Sequence, residues 1–261
     1  MRLVLVPTPI GNLEDVTLRA LRALKEADAI AAEDTRRTRT LLEHYGIETP
    51  LVRLDQHTLD RAEAIFEKYP HLAYVTDAGT PGISDPGSEL AAWVLARGGE
   101  VTALPGPTAF VPALVASGLP TARFAFEGFL PKKGRERRER LERIAREDRT
   151  VVLYESPHRL KKTLKELAEV LGEDRKVAVA RELTKRHEEV FRGTLGEAAE
   201  RFQNPRGEFV IVLAPAPPKP LDEEALLRRF RDEMGLSGRE LFGALLAAGL
   251  PKNRAYALAL K

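Results

Sequence analysis

The sequence predicts an α/β fold: two α/β halves in succession, then a small C-terminal helical segment. Two observations carry this. Short β-rich runs alternate with stretches of helical period over the first 213 residues, as strands and helices of a layered fold must. A proline-dense stretch, with four prolines between 215 and 220, then breaks the pattern before further helical segments. A chain of 261 residues lies near the upper size of one compact core, which allows one large domain or two.

In the first half, apolar runs at 3–6, 29–32, 73–76 and 101–104 are each closed within two residues by Pro or Asp. Residues 17–27 carry Leu18, Leu21 and Leu24 at helical spacing. Such alternation argues a parallel sheet with helices on its faces. In the second half, runs at 151–154, 177–180, 189–192 and 209–213 enclose helical stretches at 160–171 and 195–202, which predicts a second, mixed sheet. The expected division is an N-terminal α/β domain at 1–125, a C-terminal α/β domain at 126–214, and a proline-rich linker with helical tail at 215–261. Prolines at 215–220 make that stretch stiff and unable to join a sheet. Residues 222–230 and 237–248 read as helices, the second opened by a Ser237/Glu240 capping box. A last short helix begins after Leu250. Its Lys252 and Arg254 fit either a nucleic-acid contact of helix-turn-helix kind or a plain helical cap.

Composition removes several function classes. With no cysteine, disulfides, thiolate metal sites and a cysteine nucleophile are excluded. No run of 18 apolar residues occurs, and the opening Met-Arg-Leu-Val-Leu-Val-Pro run is too short for a signal peptide, so a soluble, cytoplasmic protein is expected. Only five Asn and Gln stand beside many Arg and Glu, a composition that fits a thermophile. Lys and Arg number 41 against 39 Asp and Glu, a net +2, so any nucleic-acid footprint must be local. Residues 131–149 hold nine basic and five acidic side chains. They fit a solvated helix laced with ion pairs, or a phosphate-contacting patch led by Lys132, Lys133 and Arg135.

Four loops dense in Gly and Pro follow the expected strands: 7–12, 77–87, 105–109 and 155–158. Carboxyl ends of strands are where open α/β sheets bind ligands. The first loop lacks Gly-x-Gly-x-x-Gly, and no phosphate-binding P-loop, His-Glu-x-x-His or Gly-x-Ser-x-Gly motif occurs, which argues against dinucleotide, nucleoside triphosphate, zinc-protease and serine-hydrolase chemistry. His44, His57, His71, His158 and His187 are scattered without an i,i+4 pair, and no metal site is expected.

Several of these stretches together resemble a known family. They are Val6-Pro-Thr-Pro-Ile-Gly-Asn-Leu13, Ala32-Glu-Asp-Thr-Arg36, Thr76-Asp-Ala-Gly-Thr-Pro-Gly-Ile-Ser-Asp-Pro-Gly87, Leu104-Pro-Gly-Pro107, Glu127-Gly-Phe-Leu-Pro131, Tyr154-Glu-Ser-Pro-His-Arg159 and Ala180-Arg-Glu-Leu-Thr-Lys185. In order and spacing over residues 1–214, the chain resembles the ribosomal RNA small subunit methyltransferase I family. That family is tetrapyrrole-methylase-like, of the class III S-adenosylmethionine enzymes. The resemblance implies 2′-O-ribose methylation of a cytidine in the decoding region of 16S ribosomal RNA, and a homodimer. It also implies that S-adenosylmethionine is bound in a cleft between the two halves. The methionine end would lie by Asp77, Thr80 and Ile83, with Thr108 and Ala109 from the same half. Tyr154, Arg181, Glu182, Gly207 and Glu208 would meet the adenosine.

The transfer requires in-line alignment of oxygen, methyl and sulfur, and a group to take the hydroxyl proton. Glu33, Asp34 and Asp85 are the carboxylate candidates for base, and Lys132 a further one. Arg36 would orient a carboxylate or hold a phosphate. Against this, Glu33 and Asp34 also suit the cap of a following helix. His57 matches a family histidine, but Thr58-Leu59 replaces the usual Asn-Glu after it. Lys132, Lys133, Arg135, Arg137 and Arg138 would hold RNA, with Arg39 and the tail in support. An aromatic content of 6% favours recognition of backbone and shape over a stacking platform. A porphyrinoid C-methyltransferase would share the cleft but needs no extended basic strip. A non-enzymatic RNA-binding adaptor would leave the cleft loops unexplained.

Overall fold

Alternate residues of the first apolar runs serve opposite faces of one sheet. The computed structural model describes residues 1–55, 61–217 and 222–260. Within it β1 (Arg2–Leu5), β2 (Ala29–Ala32), β3 (Leu51–Arg53), β4 (His71–Val75) and β5 (Glu100–Ala103) form a parallel sheet in the order β3-β2-β4-β1-β5. Val4, Ile30 and Ala73 share one buried cluster with Leu24 of α1 (Leu18–Glu26) and Leu41 and Leu42 of α2 (Thr35–His44). Leu3, Ala29 and Leu72 share another with Phe66 of α3 (Ala62–Lys68) and Leu90 and Val94 of α4 (Gly87–Ala96). Burial of both faces is why β1, β2 and β4 read as near-continuous apolar runs. β1 and β4 are neighbours, yet β1 leads on toward β2 and β4 toward β5, on opposite sides. Their carboxyl ends are therefore the switch point of the sheet, where ligands bind in open α/β folds.

The second sheet contains β6 (Phe124–Phe129), β7 (Thr150–Glu155), β8 (Lys176–Arg181), β9 (Glu189–Thr194) and β10 (Phe209–Leu213) in the order β6-β7-β10-β8-β9. It is mixed, as expected: β6 and β7 are parallel and the other pairs antiparallel. Leu153, Val179 and Ile211 cluster with residues of α6 (Arg135–Arg146), α7 (Pro157–Leu171) and α8 (Leu195–Arg201). The opposite face, with Val152, Ala178 and Val210, packs on Ala113 and Leu114 of α5 (Phe110–Ala116). Because α5 follows a strand of the first sheet and packs on the second, it ties the two sheets together. Both belong to one unit, Met1–Ala216, and Pro217–Lys261 is a second unit.

Two strands have no counterpart in the sequence reading. β3 is only three residues long. β6 holds a register shift between Phe126 and Gly128, with Gly128 at φ +59°, which breaks the two-residue period. The expected 125/126 boundary lies inside this strand. In the tail, α9 (Glu223–Leu227) passes into a π turn at Arg228–Glu233, followed by α10 (Gly238–Ala247) and α11 (Lys252–Ala259). Leu241, Leu245, Leu250 and Leu258 form its core. The Ser237 capping box does not form: Ser237 makes no side-chain cap hydrogen bond, and Gly238 takes φ +50° where a helical first residue is needed. The box is found instead at Thr194 and Glu197, opening α8. Arg254 is engaged by Glu223 through Nε and Nη2, so it is not a free cation at a helix start. No helix among the described residues is long and apolar enough to cross a membrane.

Candidate functional site

Three loops are stitched together above the switch point. Thr8, after β1, and Gly79, after β4, exchange two backbone hydrogen bonds of 2.9 Å. Thr80 Oγ1 donates to the Pro107 carbonyl at 2.8 Å, joining the loop after β5. Gly79 sits at φ +83°, in the left-handed region that a side chain disfavours. These loops and the ends of β7, β8 and β10 enclose a cleft of about 520 Å³.

Nine of the expected site residues line it. Glu33, Asp77, Thr80, Ile83 and Asp85 come from the first sheet's loops, Thr108 and Ala109 from the loop after β5, and Tyr154 and Glu208 from the second sheet. Buried Thr76 Oγ1 and Asp77 Oδ1 have no hydrogen-bond partner among the described residues. Since buried polar atoms are nearly always satisfied, these two point to a polar ligand. Ser84, which lines the cleft, and Glu182 and Thr184, which flank cleft-lining Leu183, are the described non-glycine residues with positive φ. Such strained positions concentrate where a site over-determines its backbone.

Arg181, Glu182 and Gly207 do not line the cleft. Glu182 holds Glu208, which does. Glu182 Oε1 accepts from the Glu208 N–H and from Lys185 Nζ, both at 2.9 Å, and Lys185 also reaches Glu208 Oε2 at 2.8 Å. Gly207 is glycine because a Cβ there would lie 2.5 Å from Glu182 Cγ. Arg181 Nε donates to the Arg206 carbonyl.

The carboxylates divide by environment. Glu33 is half-buried and makes no hydrogen bond or ion pair among the described residues. Burial first, then Asp77, Asp85 and Asp55, push its carboxyl above the usual range, with Arg37 opposing. Asp34 and Arg36 are corrections to the expected site. Asp34 caps α2 through the Arg36 N–H at 2.9 Å, and Arg36 folds back on it with Nη2 at 2.9 Å. The Arg36 side chain, then its N–H, hold Asp34 at about 2, so it is a poor base. Arg37, one residue on and not singled out from the sequence, lines the cleft and pairs with Asp77 at 3.3 Å. The signal was present: an Asp cap with Arg two residues later invites a local fork, which removes that Arg from the site.

Asp85 organises its loop. Its Oδ1 accepts from the Gly82 and Gly87 N–H groups at 2.7 and 2.8 Å. Asp85→Asn keeps an acceptor there, and Asp85→Ala leaves both donors unmet. Ala should therefore weaken cofactor binding by tenfold or more, as loss of bonds to a charged group worth about 1.5–3 kcal/mol implies. Asn should stay within about threefold of the parent. Calorimetry with S-adenosylhomocysteine reads the difference, and equal loss in both variants would assign Asp85 a charge role instead.

The basic strip is smaller than the sequence suggested. Lys132, Lys133 and Arg138 are exposed and without ion pairs among the described residues. Arg135 is exposed but bound to Glu139. Arg137 is a correction: it is 3% exposed and its guanidinium is spent on Glu166, Thr163 Oγ1 and the Pro131 carbonyl. A phosphate cannot reach it. Phe129 and Glu155, which lie in stretches the sequence singled out but were given no role there, also line the cleft. His57 lies outside the described residues.

The family model for tetrapyrrole (corrin/porphyrin) methylases matches residues 2–199. A Synechocystis protein named ribosomal RNA small subunit methyltransferase I is 47% identical over 97% of this chain and 90% of its own length. The protein of that name from Escherichia coli O157:H7 is 42% identical over 100% of this chain and 95% of its own. Among solved structures, uroporphyrin-III C-methyltransferase from Thermus thermophilus complexed with S-adenosylhomocysteine aligns with TM-score 0.61 at 24% identity, over 82% of this chain and 92% of that one. At that identity the likeness is one of fold. By model match and by identity to these relatives, the chain belongs to the tetrapyrrole methylase family and, within it, to the ribosomal RNA small subunit methyltransferase I family.

Proposed function

We propose that the protein methylates a ribose 2′-hydroxyl of a cytidine in the decoding region of small-subunit ribosomal RNA, using S-adenosylmethionine. The observation that carries this reading is the cleft at the switch point, with unsatisfied Thr76 Oγ1 and Asp77 Oδ1; the names of its relatives favour RNA as the acceptor. The residues present suit the cofactor. Backbone-rich loops at Thr80, Ile83, Thr108 and Ala109 would hold the methionine end, and Tyr154 and Glu208 the adenosine. Glu182 and Lys185 hold Glu208 in place.

When bound, the sulfonium supplies an electrophilic methyl group. What remains for the protein is alignment and acceptance of one proton. Glu33, without an ion pair among the described residues and held above the usual carboxylate range, takes the proton of the attacking hydroxyl. Lys132, Lys133 and Arg138 neutralise RNA phosphates beside the mouth. Lys132→Ala with Lys133→Ala should raise the KM for RNA and flatten the salt dependence of binding by about 0.7 in log–log slope per lost contact. An unchanged slope would remove both lysines from the RNA surface. The reading includes a homodimer and a cytoplasmic place of action. Exposed Val111 and Val115 on α5 support the former, and sedimentation tests it.

Incubation with labelled S-adenosylmethionine and unmethylated small subunits should place label in the RNA, alkali-resistant at one cytidine. Label in uroporphyrinogen III with none in RNA would overturn the assignment in favour of a porphyrinoid substrate.

A further inference from the structure

Five aromatic rings run in file through the molecule: Phe124, Phe110, Phe126, Tyr154 and Phe129, with successive centroids 6.1, 4.8, 5.0 and 5.7 Å apart. The file ends at the cleft. Phe129 lines it and is 50% exposed. Its one ring neighbour among the described residues is Tyr154, met at an interplanar angle of 60°. A large apolar side chain left half in water at a cleft lip calls for an occupant more than a scattered surface residue does.

The backbone around this ring is fixed on both sides. Gly128 takes φ +59° at the β6 irregularity, and a Cβ there would lie 3.1 Å from Ser84 Oγ, so β6 is drawn against the cleft loop. On the other side, Arg159 Nη2 donates to the Leu130 and Pro131 carbonyls at 2.6 and 3.2 Å, and Arg137 Nη1 to Pro131 at 2.9 Å. Leu130 itself is buried. Three and four residues after Phe129 stand Lys132 and Lys133, exposed and without ion pairs among the described residues. A pre-set ring at the mouth, followed at once by phosphate-binding charge, is the arrangement that single-stranded nucleic acid requires.

We propose that Phe129 is a stacking platform for a nucleobase of the RNA, the target base once it leaves its own stack to bring the ribose into the cleft. This rests on the RNA methylation reading above. Drawing one nucleotide of a folded RNA into the cleft unstacks its base, and Phe129, exposed on a backbone tied at both sides, offers a face that replaces the lost stacking. Stacking on one ring is tolerant of base identity, so the platform holds the nucleotide without selecting cytidine.

The test compares Phe129→Ala, Phe129→Leu and Phe129→Trp with the unaltered chain on unmethylated small subunits and labelled S-adenosylmethionine. Leu keeps apolar contact with Tyr154 but has no π face; Trp has a larger one. Expected are a 10- to 100-fold fall in kcat/KM for RNA with Ala and with Leu, and Trp within about threefold of the parent. Calorimetric affinity for S-adenosylhomocysteine should stay within twofold in all three. Parent-like turnover in Ala or Leu would overturn the platform, as would Trp falling with them. Loss of cofactor affinity in step with activity would reassign the ring to the adenine of the cofactor. Absence of label with the unaltered chain would overturn the RNA reading itself and this subsite with it.

Discussion

Glu33→Gln should lower kcat by about 10²- to 10⁴-fold, the usual worth of a positioned base, and raise thermal stability slightly. Both effects have one origin. Glu33 follows β2 into the cleft wall, half-buried, facing Asp77, Asp85 and Asp55. Arg37, the nearby cation, is committed to Asp77. Burial and like charge therefore raise the Glu33 carboxyl in the folded state relative to the unfolded chain. A group raised in this way stabilises the fold while protonated, and that contribution is lost as pH rises through its folded value. At neutral pH the ionised carboxylate is thus a local liability, and a neutral amide of the same shape removes it. For turnover the sign is opposite: the base must be ionised, so the rising limb of kcat against pH should lie above the ordinary carboxylate range. Single-turnover rates across pH, with melting curves for parent and variant, read both. Parent-like kcat in Glu33→Gln would take Glu33 out of the chemistry.

Glu33 also shows what could be read from the sequence and what could not. The Ala32-Glu-Asp-Thr-Arg36 run marked a strand end entering a site, and β2 and α2 do flank it. Which carboxylate faces the cleft depends on which one caps α2, and that is decided by one hydrogen bond, Asp34 to the Arg36 N–H. The first sheet was legible at β1, β2 and β4, whose apolar residues are buried on both faces; the short, partly exposed edge strand β3 was not. β6 was not, since its bulge at Gly128 spoils the alternation that marks a strand. With β6 hidden, Phe129 could not be placed at the mouth. Low aromatic content argued against stacking in general, yet one ring in the right position suffices for one base. Residues behind the site, such as Glu182 and Lys185, act through contacts between segments more than twenty positions apart. No local pattern records such contacts.

Arg137→Met should destabilise the protein by about 3 kcal/mol, the lower end of the effect of breaking a buried ion pair, or roughly 6–12 °C in Tm for a unit of this size. Charge runs read from sequence treat neighbouring arginines alike, but helical phase separates them. Arg137, in the first turn of α6, is buried, whereas Arg138 is exposed and has no ion pair among the described residues. Arg137 Nε reaches Glu166 at 2.8 Å and Nη2 reaches Thr163 Oγ1 at 2.9 Å. Thr163 in turn donates to Glu155 Oε2 at 2.6 Å, and Glu155 is a buried carboxylate of the cleft wall. Methionine fills similar volume but leaves Thr163 Oγ1 without its donor, Glu166 with only Lys162 at 3.8 Å and the Pro131 carbonyl with only Arg159 at 3.2 Å. Lysine should recover only part of the loss, since one ammonium cannot reproduce the guanidinium fork. Arg138→Met should stay within about 0.5 kcal/mol of the parent in stability, as exposed positions do, and lose RNA affinity with a flatter salt slope. The two adjacent substitutions thus exchange phenotypes: one is read in the melting curve, the other in RNA binding at a temperature where both proteins are folded. If Arg137→Met melted with the parent while Arg138→Met did not, the burial of Arg137 would not be what fixes α6 to the cleft wall.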